Sequence, residues 1–299
     1  MHSDTIGGRR LIAAAAISAA AALVLAACGG SGSKSDATAA AAPPAKLVAN
    51  VPAASLIQKG KLTICADIPV PPFEQYDEKG KLQGFEVDLG NQIAPRIGLQ
   101  PVWVNSVFDT IIAALQGGKC DAIINDMFIT PDREKQIRQI PYLTSGESFM
   151  VRKGNPSGID PTNVSTLCGK TLTIELGGAE IDDAKKYSQT CKKTGKSPIT
   201  ILSPQKFTDS LQQLQTNHAQ ALFFDSPVNG YYVKLQPSQF QITGPILKDS
   251  TELGIGVGKS DTALGTALLT SLKSVQADGT YRRLLVKWGL QGNRVPAAR

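Results

Sequence analysis

The segment Thr130-Pro-Asp-Arg133 combines the residue types that an anion-binding helix start requires, directly after an apolar strand pattern. Thr130 can cap a helix, Pro131 suits its first position, and the helix N-terminus adds free N–H groups and positive potential. The planar fork of Arg133 then matches a carboxylate in two bonds; the alternative is a surface arginine paired with Asp132 or Glu134. Asp225 ends the apolar run Ala221 to Phe224 and precedes Ser226-Pro227, where it either faces a ligand or caps the following helix. Asp67, at the end of another strand pattern, reads equally as a ligand contact or a turn former. His218 is the sole histidine beyond the export signal described below, so neither a Ser-His-Asp nor a Cys-His arrangement can be assembled, and zinc or copper has almost nothing to bind. No cofactor and no metal are expected.

The elements that must position these groups alternate between strand and helix periodicity. Lys61 to Ala66 reads as a strand, Phe85, Leu89 and Ile93 recur at helical spacing, and Val102 to Val104 is a second strand. Phe108, Ile111, Ile112 and Leu115 form one helical face that Gly117-Gly118 stops before the strand Asp121 to Asn125. Pro95 ends or kinks the first helix. This βαβαβ order implies a parallel sheet covered by helices. A second series follows Gly169: Leu172 to Ile174, a helix through Ala184 and Tyr187, Ile199 to Leu202, a helix through Phe207, Leu211 and Leu214, and Ala221 to Phe224. Two α/β units in one chain make a cleft, a favoured small-molecule site. The chain returns to helix at Leu264, Leu268 and Leu272 and at Tyr281, Leu284, Leu285 and Trp288.

Arg9-Arg10 and the apolar run Leu11 to Ala27 read as an export signal, the run being short of the roughly 20 residues a spanning helix needs. Leu25-Ala-Ala-Cys28 resembles the lipobox of bacterial lipoproteins, which implies a lipid on Cys28. The Gly/Ser/Ala-rich stretch after it is a flexible tether. Without residues 1–27 the chain holds 29 basic and 24 acidic residues, a mild +5 with no basic cluster interleaved with aromatics, so nucleic acid is not an expected partner. The composition, 42% hydrophobic and 19% charged, is that of a chain that folds. Four cysteines remain after export. Cys168 and Cys191 bracket one strand-helix unit and are expected to form a disulfide; Cys65 and Cys120, late in one parallel strand and at the start of another, are expected to lie beyond the roughly 7 Å pairing limit.

Pro71-Pro-Phe73, Gly84-Phe-Glu-Val-Asp-Leu89, Phe108 to Leu115, Ile129-Thr-Pro-Asp-Arg133, Pro141-Tyr142, Asp278-Gly-Thr-Tyr281 and Lys287-Trp288 occur together in one order. In that order and spacing the chain resembles the polar amino-acid family (family 3) of solute-binding lipoproteins of bacterial ABC importers, over Lys61 to Leu290. The resemblance implies an α/β, two-lobed periplasmic-binding-protein fold of type II, with central sheets, flanking helices and ligand between the lobes. It implies residues 1–27 as signal, 28–55 as tether, 56–146 as first lobe, 147–249 as second lobe, and 250–299 as the return to the first lobe, with crossings near Leu143 to Glu147 and Asp249 to Leu253. The implied protein is a monomer on the outer face of the cell membrane that hands an amino acid to a membrane permease and is not an enzyme.

By the same resemblance Arg133 clamps a ligand carboxylate, Asp225 receives an amino group and Phe108 stacks on ligand, although the spacing of Phe108 also suits plain core. Phe73 is structural. The chain departs from the family pattern at Val70, where an aromatic is usual, at Phe128, where a hydroxyl is usual, at Asp126, where Ser or Gly is usual, and at Gly178 in a Gly-Thr turn. Asp126 and Glu175 add negative charge at positions that face the cleft, which favours a cationic ligand, unless they face solvent or pair with Lys170 or Lys185. The rival functions are a cleft enzyme of the cyclohexadienyl dehydratase type and a ligand-sensing module.

Overall fold

A computed structural model describes residues 46–298. The export signal, Cys28 and most of the tether lie outside the described residues. Among those residues no helix is long and apolar enough to cross a membrane.

The first βαβαβ unit consists of β1 (Lys61–Ala66), α1 (Phe85–Arg96), β4 (Gln100–Asn105), α2 (Ile111–Gln116) and β5 (Ala122–Ile123). β1 lies between β4 and β5 and is parallel to both. Its burial on both faces explains the run Leu62 to Ala66, apolar except for the buried Thr63. α1 ends one residue after Pro95, as the missing N–H and the proline ring dictate. Its start depends on Gly84, whose φ of 148° and close approach exclude a side chain: a Cβ there would lie 1.9 Å from the Phe73 carbonyl oxygen. A small hairpin, β2 (Gln75–Tyr76) with β3 (Leu82–Gln83), links β1 to α1. After β5 comes a single helical turn, α3 (Pro131–Glu134).

The second unit runs through β7 (Thr171–Thr173), α4 (Glu180–Lys193), β8 (Thr200–Leu202), α5 (Phe207–Gln215), β9 (Ala221–Asp225) and α6 (Ser226–Leu235). Two long antiparallel strands, β6 (Ile137–Arg152) and β10 (Phe240–Gly258), join the halves, so one eight-stranded sheet runs β4-β1-β5-β10-β6-β9-β7-β8. Between the halves their ladder loses register, from Thr243/Leu247 to Leu247/Thr251, and Lys248 (φ 48°) and Ser250 (φ 79°) take left-handed conformations. Lys248 donates to Glu147 at 3.1 Å and pairs with Asp183 of α4. α7 (Thr262–Ala277) and α8 (Thr280–Trp288) return to pack on α1. The α/β class and the two-lobed arrangement agree with the sequence reading.

The four cysteines correct one expectation. Cys168 and Cys191 are joined as expected, with Cα atoms 5.5 Å apart. Cys65 and Cys120, expected to be too distant, are joined as well, at 5.7 Å. β5 is the direct neighbour of β1 in the sheet, and both thiols point to the face that α2 covers, among Ile111, Leu115 and Ile123. Adjacent strands are about 4.8 Å apart, within disulfide range, and the direct pairing of β5 with β1 outweighs the offset along the strands on which the expectation rested.

Candidate functional site

The ends of β1, β5, β7 and β9 converge where the two halves meet, the usual location of ligand in open α/β sheets. Thr130 caps α3 by accepting from the Arg133 N–H at 3.3 Å, with Pro131 in the first turn. Arg133 pairs with neither Asp132 nor Glu134 in the described contacts; Asp132 binds Lys135 instead. The guanidinium lies 5.2 Å from the Phe108 ring centroid and donates to the Phe128 carbonyl at 2.8 Å. Its other arm crosses to the second half, donating to the Gly177 carbonyl at 3.0 Å. Gly177 permits this approach: its φ is 90°, and a Cβ would lie 2.9 Å from Cα of Asp109 in the first half.

Asp225 occupies the cap position of α6 but makes no capping bond. Its carboxyl turns into the cleft, within hydrogen-bonding range of Asp126 from the first half and of Glu180 at the start of α4. Ser145 donates to it at 3.4 Å. Asp126 is buried in a left-handed conformation (φ 28°), and neither of its oxygens meets an amide, hydroxyl or ammonium donor. Its N–H donates to Glu86 at 2.8 Å. Glu86 also accepts a short hydrogen bond from Tyr142, and the fully buried Glu74 shares its remaining side.

Glu175 follows β7, is buried, and has one oxygen without a donor. Asp67 accepts from the Phe108 N–H at 3.0 Å. Burial pushes the Asp67 carboxyl up to about 6. Burial and then the facing Asp67 push Glu175 up to about 9. Asp126, Glu180 and Asp225 are raised well above the carboxylate range, by burial first and by each other's proximity second for Asp225 and Glu180. Burial lowers the Arg133 value, which the surrounding carboxylates oppose.

Of the expected site residues, Phe108, Asp126, Phe128, Arg133, Glu175, Gly178 and Asp225 line one cavity of about 10 Å³, room for about one water. Asp67 stands behind Phe108 rather than on that lining. Val70 lines it too, and Phe73 is buried core. Phe128 contributes an apolar wall and its carbonyl; Gly178 contributes a turn whose N–H is already bonded to the Glu175 carbonyl at 3.0 Å. Lys185 pairs with Asp182 and not with either cleft carboxyl.

Sequence reasoning missed Glu180, Glu86 and Glu74. Glu180 resembles the ordinary acidic residue of a helix's first turn, which the helix dipole favours. Glu74 and Glu86 fall inside segments otherwise explained by packing; only three acids so close to apolar runs hinted at burial.

Two lobes on one sheet, joined by two strands and carrying opposed polar groups on the cleft walls, define an extracytoplasmic solute-binding protein. The model of the bacterial extracellular solute-binding proteins, family 3, matches residues 62–291, and the chain belongs to that family. It is 29% identical over 247 residues to an arginine-binding protein of Corynebacterium glutamicum, covering 82% of this chain and 79% of that one. A histidine-binding periplasmic protein of Salmonella typhimurium is 30% identical over 76% of this chain and 87% of its own. Among solved structures, an ancestral arginine-binding protein bound to glutamine superposes with a TM-score of 0.71 at 31% identity, covering 78% of this chain and 99% of that one.

Proposed function

We propose that this chain captures a cationic amino acid between its lobes and delivers it to an ABC permease. The observation that carries this reading is the imbalance of charge in the cleft. Four carboxyls, Asp126, Glu175, Glu180 and Asp225, line one cavity with a single guanidinium, that of Arg133. Buried carboxylates without partners are costly, and a ligand bearing two cationic groups supplies partners. The α-amine is received by Asp225 with Asp126 and Glu180, the α-carboxylate by Arg133, and the side-chain cation by Glu175 with Asp67 behind it. The arginine and histidine named for the relatives agree with this class.

A cavity of about 10 Å³ is far smaller than any amino acid, so entry requires the halves to part at the β6–β10 joint. On binding, Arg133 exchanges the Gly177 carbonyl for the ligand carboxylate. Calorimetry on Glu175→Gln tests the side-chain assignment: affinity for arginine and lysine falls about tenfold to hundredfold, the worth of one hydrogen bond to a charged group, while neutral amino acids change little. An equal loss for neutral and cationic ligands refutes it.

The same reading anchors the chain through a lipid on Cys28 to the outer face of the cell membrane, where it acts as a monomer. Metabolic labelling with a fatty acid checks the anchor: Cys28→Ala loses the label, and label retained in that variant rules the anchor out.

A further inference from the structure

Asp126 and Asp225 come from opposite halves of the sheet, and their carboxyls face each other where the halves touch. We propose that this pair is a proton-bridged latch that holds the cleft shut, so that the balance between open and closed forms depends on acidity. The argument rests on what surrounds the pair. From α4 comes Glu180, in contact with Asp225; from α1 comes Glu86, bonded to the Asp126 N–H, with Glu74 behind it; from β6 comes Glu147, already engaged by Lys248. The one nearby guanidinium, Arg133, is spent on the Phe128 and Gly177 carbonyls. Among the described residues no amide, hydroxyl or ammonium reaches the carboxyl oxygens of Asp126. Two carboxylates in mutual contact on one cavity with room for about one water cannot both be ionised, and a shared proton is what remains to join them.

Opening returns both groups to water and to ordinary carboxylate acidity. Closure therefore takes up protons. The closed-to-open ratio rises as pH falls, by up to about tenfold per pH unit for each proton taken up. The raised proton affinity of Asp126 and Asp225 in the closed form has the required sign. Where the cleft receives a cationic ligand, the ammonium occupies the place of the bridging proton, and acid competes with ligand. That consequence rests on the proposed function, whereas the latch does not, so it is tested without ligand.

The experiment measures the distance between spin labels at Lys79→Cys in the first half and Lys196→Cys in the second, both exposed, on protein freed of ligand by unfolding and refolding. Between about pH 8 and about pH 5, where ordinary carboxyls of the open form stay largely ionised, the short-distance population grows in the wild type as the pH falls. Asp126→Asn, a residue that tolerates the left-handed backbone, donates its amide to Asp225 without a proton and stays closed at both values. Asp126→Ala stays open at both. An unchanged wild-type distribution overturns the latch, as does an Asp126→Ala protein that closes with acid as wild type does.

Discussion

Arg133→Ala lowers affinity for the preferred cationic amino acid by roughly thirtyfold to several thousandfold, the range expected when one partner of a buried charge pair is truncated at about 2 to 5 kcal/mol. The variant leaves the ligand carboxylate facing Phe108 and Phe128 with no cation beside it. Folding is preserved, because the guanidinium's hydrogen bonds in this structure go to two carbonyls, of Phe128 and Gly177, and the cleft acids beside it are already raised towards their neutral form by burial. A rival role, in which Arg133 merely ties the halves together through Gly177, is separable by ligand chemistry. The amide of the same amino acid lacks the anionic carboxylate, so it discriminates little between wild type and variant if the clamp reading holds. Calorimetry with both compounds provides the check, and an Arg133→Ala protein that binds its best amino acid as well as wild type excludes the clamp.

The second large effect is on stability. Replacing Cys65 and Cys120 together by alanine costs about 4 kcal/mol, and replacing Cys168 and Cys191 about 3, because a cross-link restrains the unfolded chain more when the loop it closes is longer. The loops here span 55 and 23 residues. For a chain of this size each kcal/mol is worth about 2 to 4 °C, so the first double variant melts about 8 to 16 °C below wild type and about 2 to 4 °C below the second. Equilibrium unfolding of the two double variants measures the order directly. A first pair that contributes less than the second would show that the unfolded chain is already restrained near β1 and β5 by other means.

Much of this architecture was legible from periodicity. The β1, α1, β4, α2 series and its counterpart from β7 to β9 follow from apolar spacing and from Gly and Pro punctuation, and the Thr130 cap from residue types alone. What was not legible was lateral order. Whether β5 lies next to β1, and in which register, cannot be seen in a list of strands, and the two together decided Cys65 and Cys120. The cleft lining was legible where a residue interrupts a pattern, as Asp225 does after four apolar residues. It was not legible where an acid has a good local excuse, as Glu180 has in the first turn of α4. Glu86 escaped for a related reason: its role is to hold the backbone of Asp126, a contact 40 residues distant in sequence.

The joint between the halves also sets the kind of movement available to them. β6 and β10 are neighbours in one ladder, and that ladder is already out of register where it passes between the halves, so a bend there breaks few further hydrogen bonds. Sliding one strand along the other would break the regular pairing on both sides. The molecule is therefore a jaw with one easy degree of freedom, rotation about a line one strand-pair wide, and it behaves as a calliper: the bulk of whatever lies in the cleft is converted into an angle. A membrane partner that touches both halves can gauge the cargo from outside, by that angle alone, without contacting it.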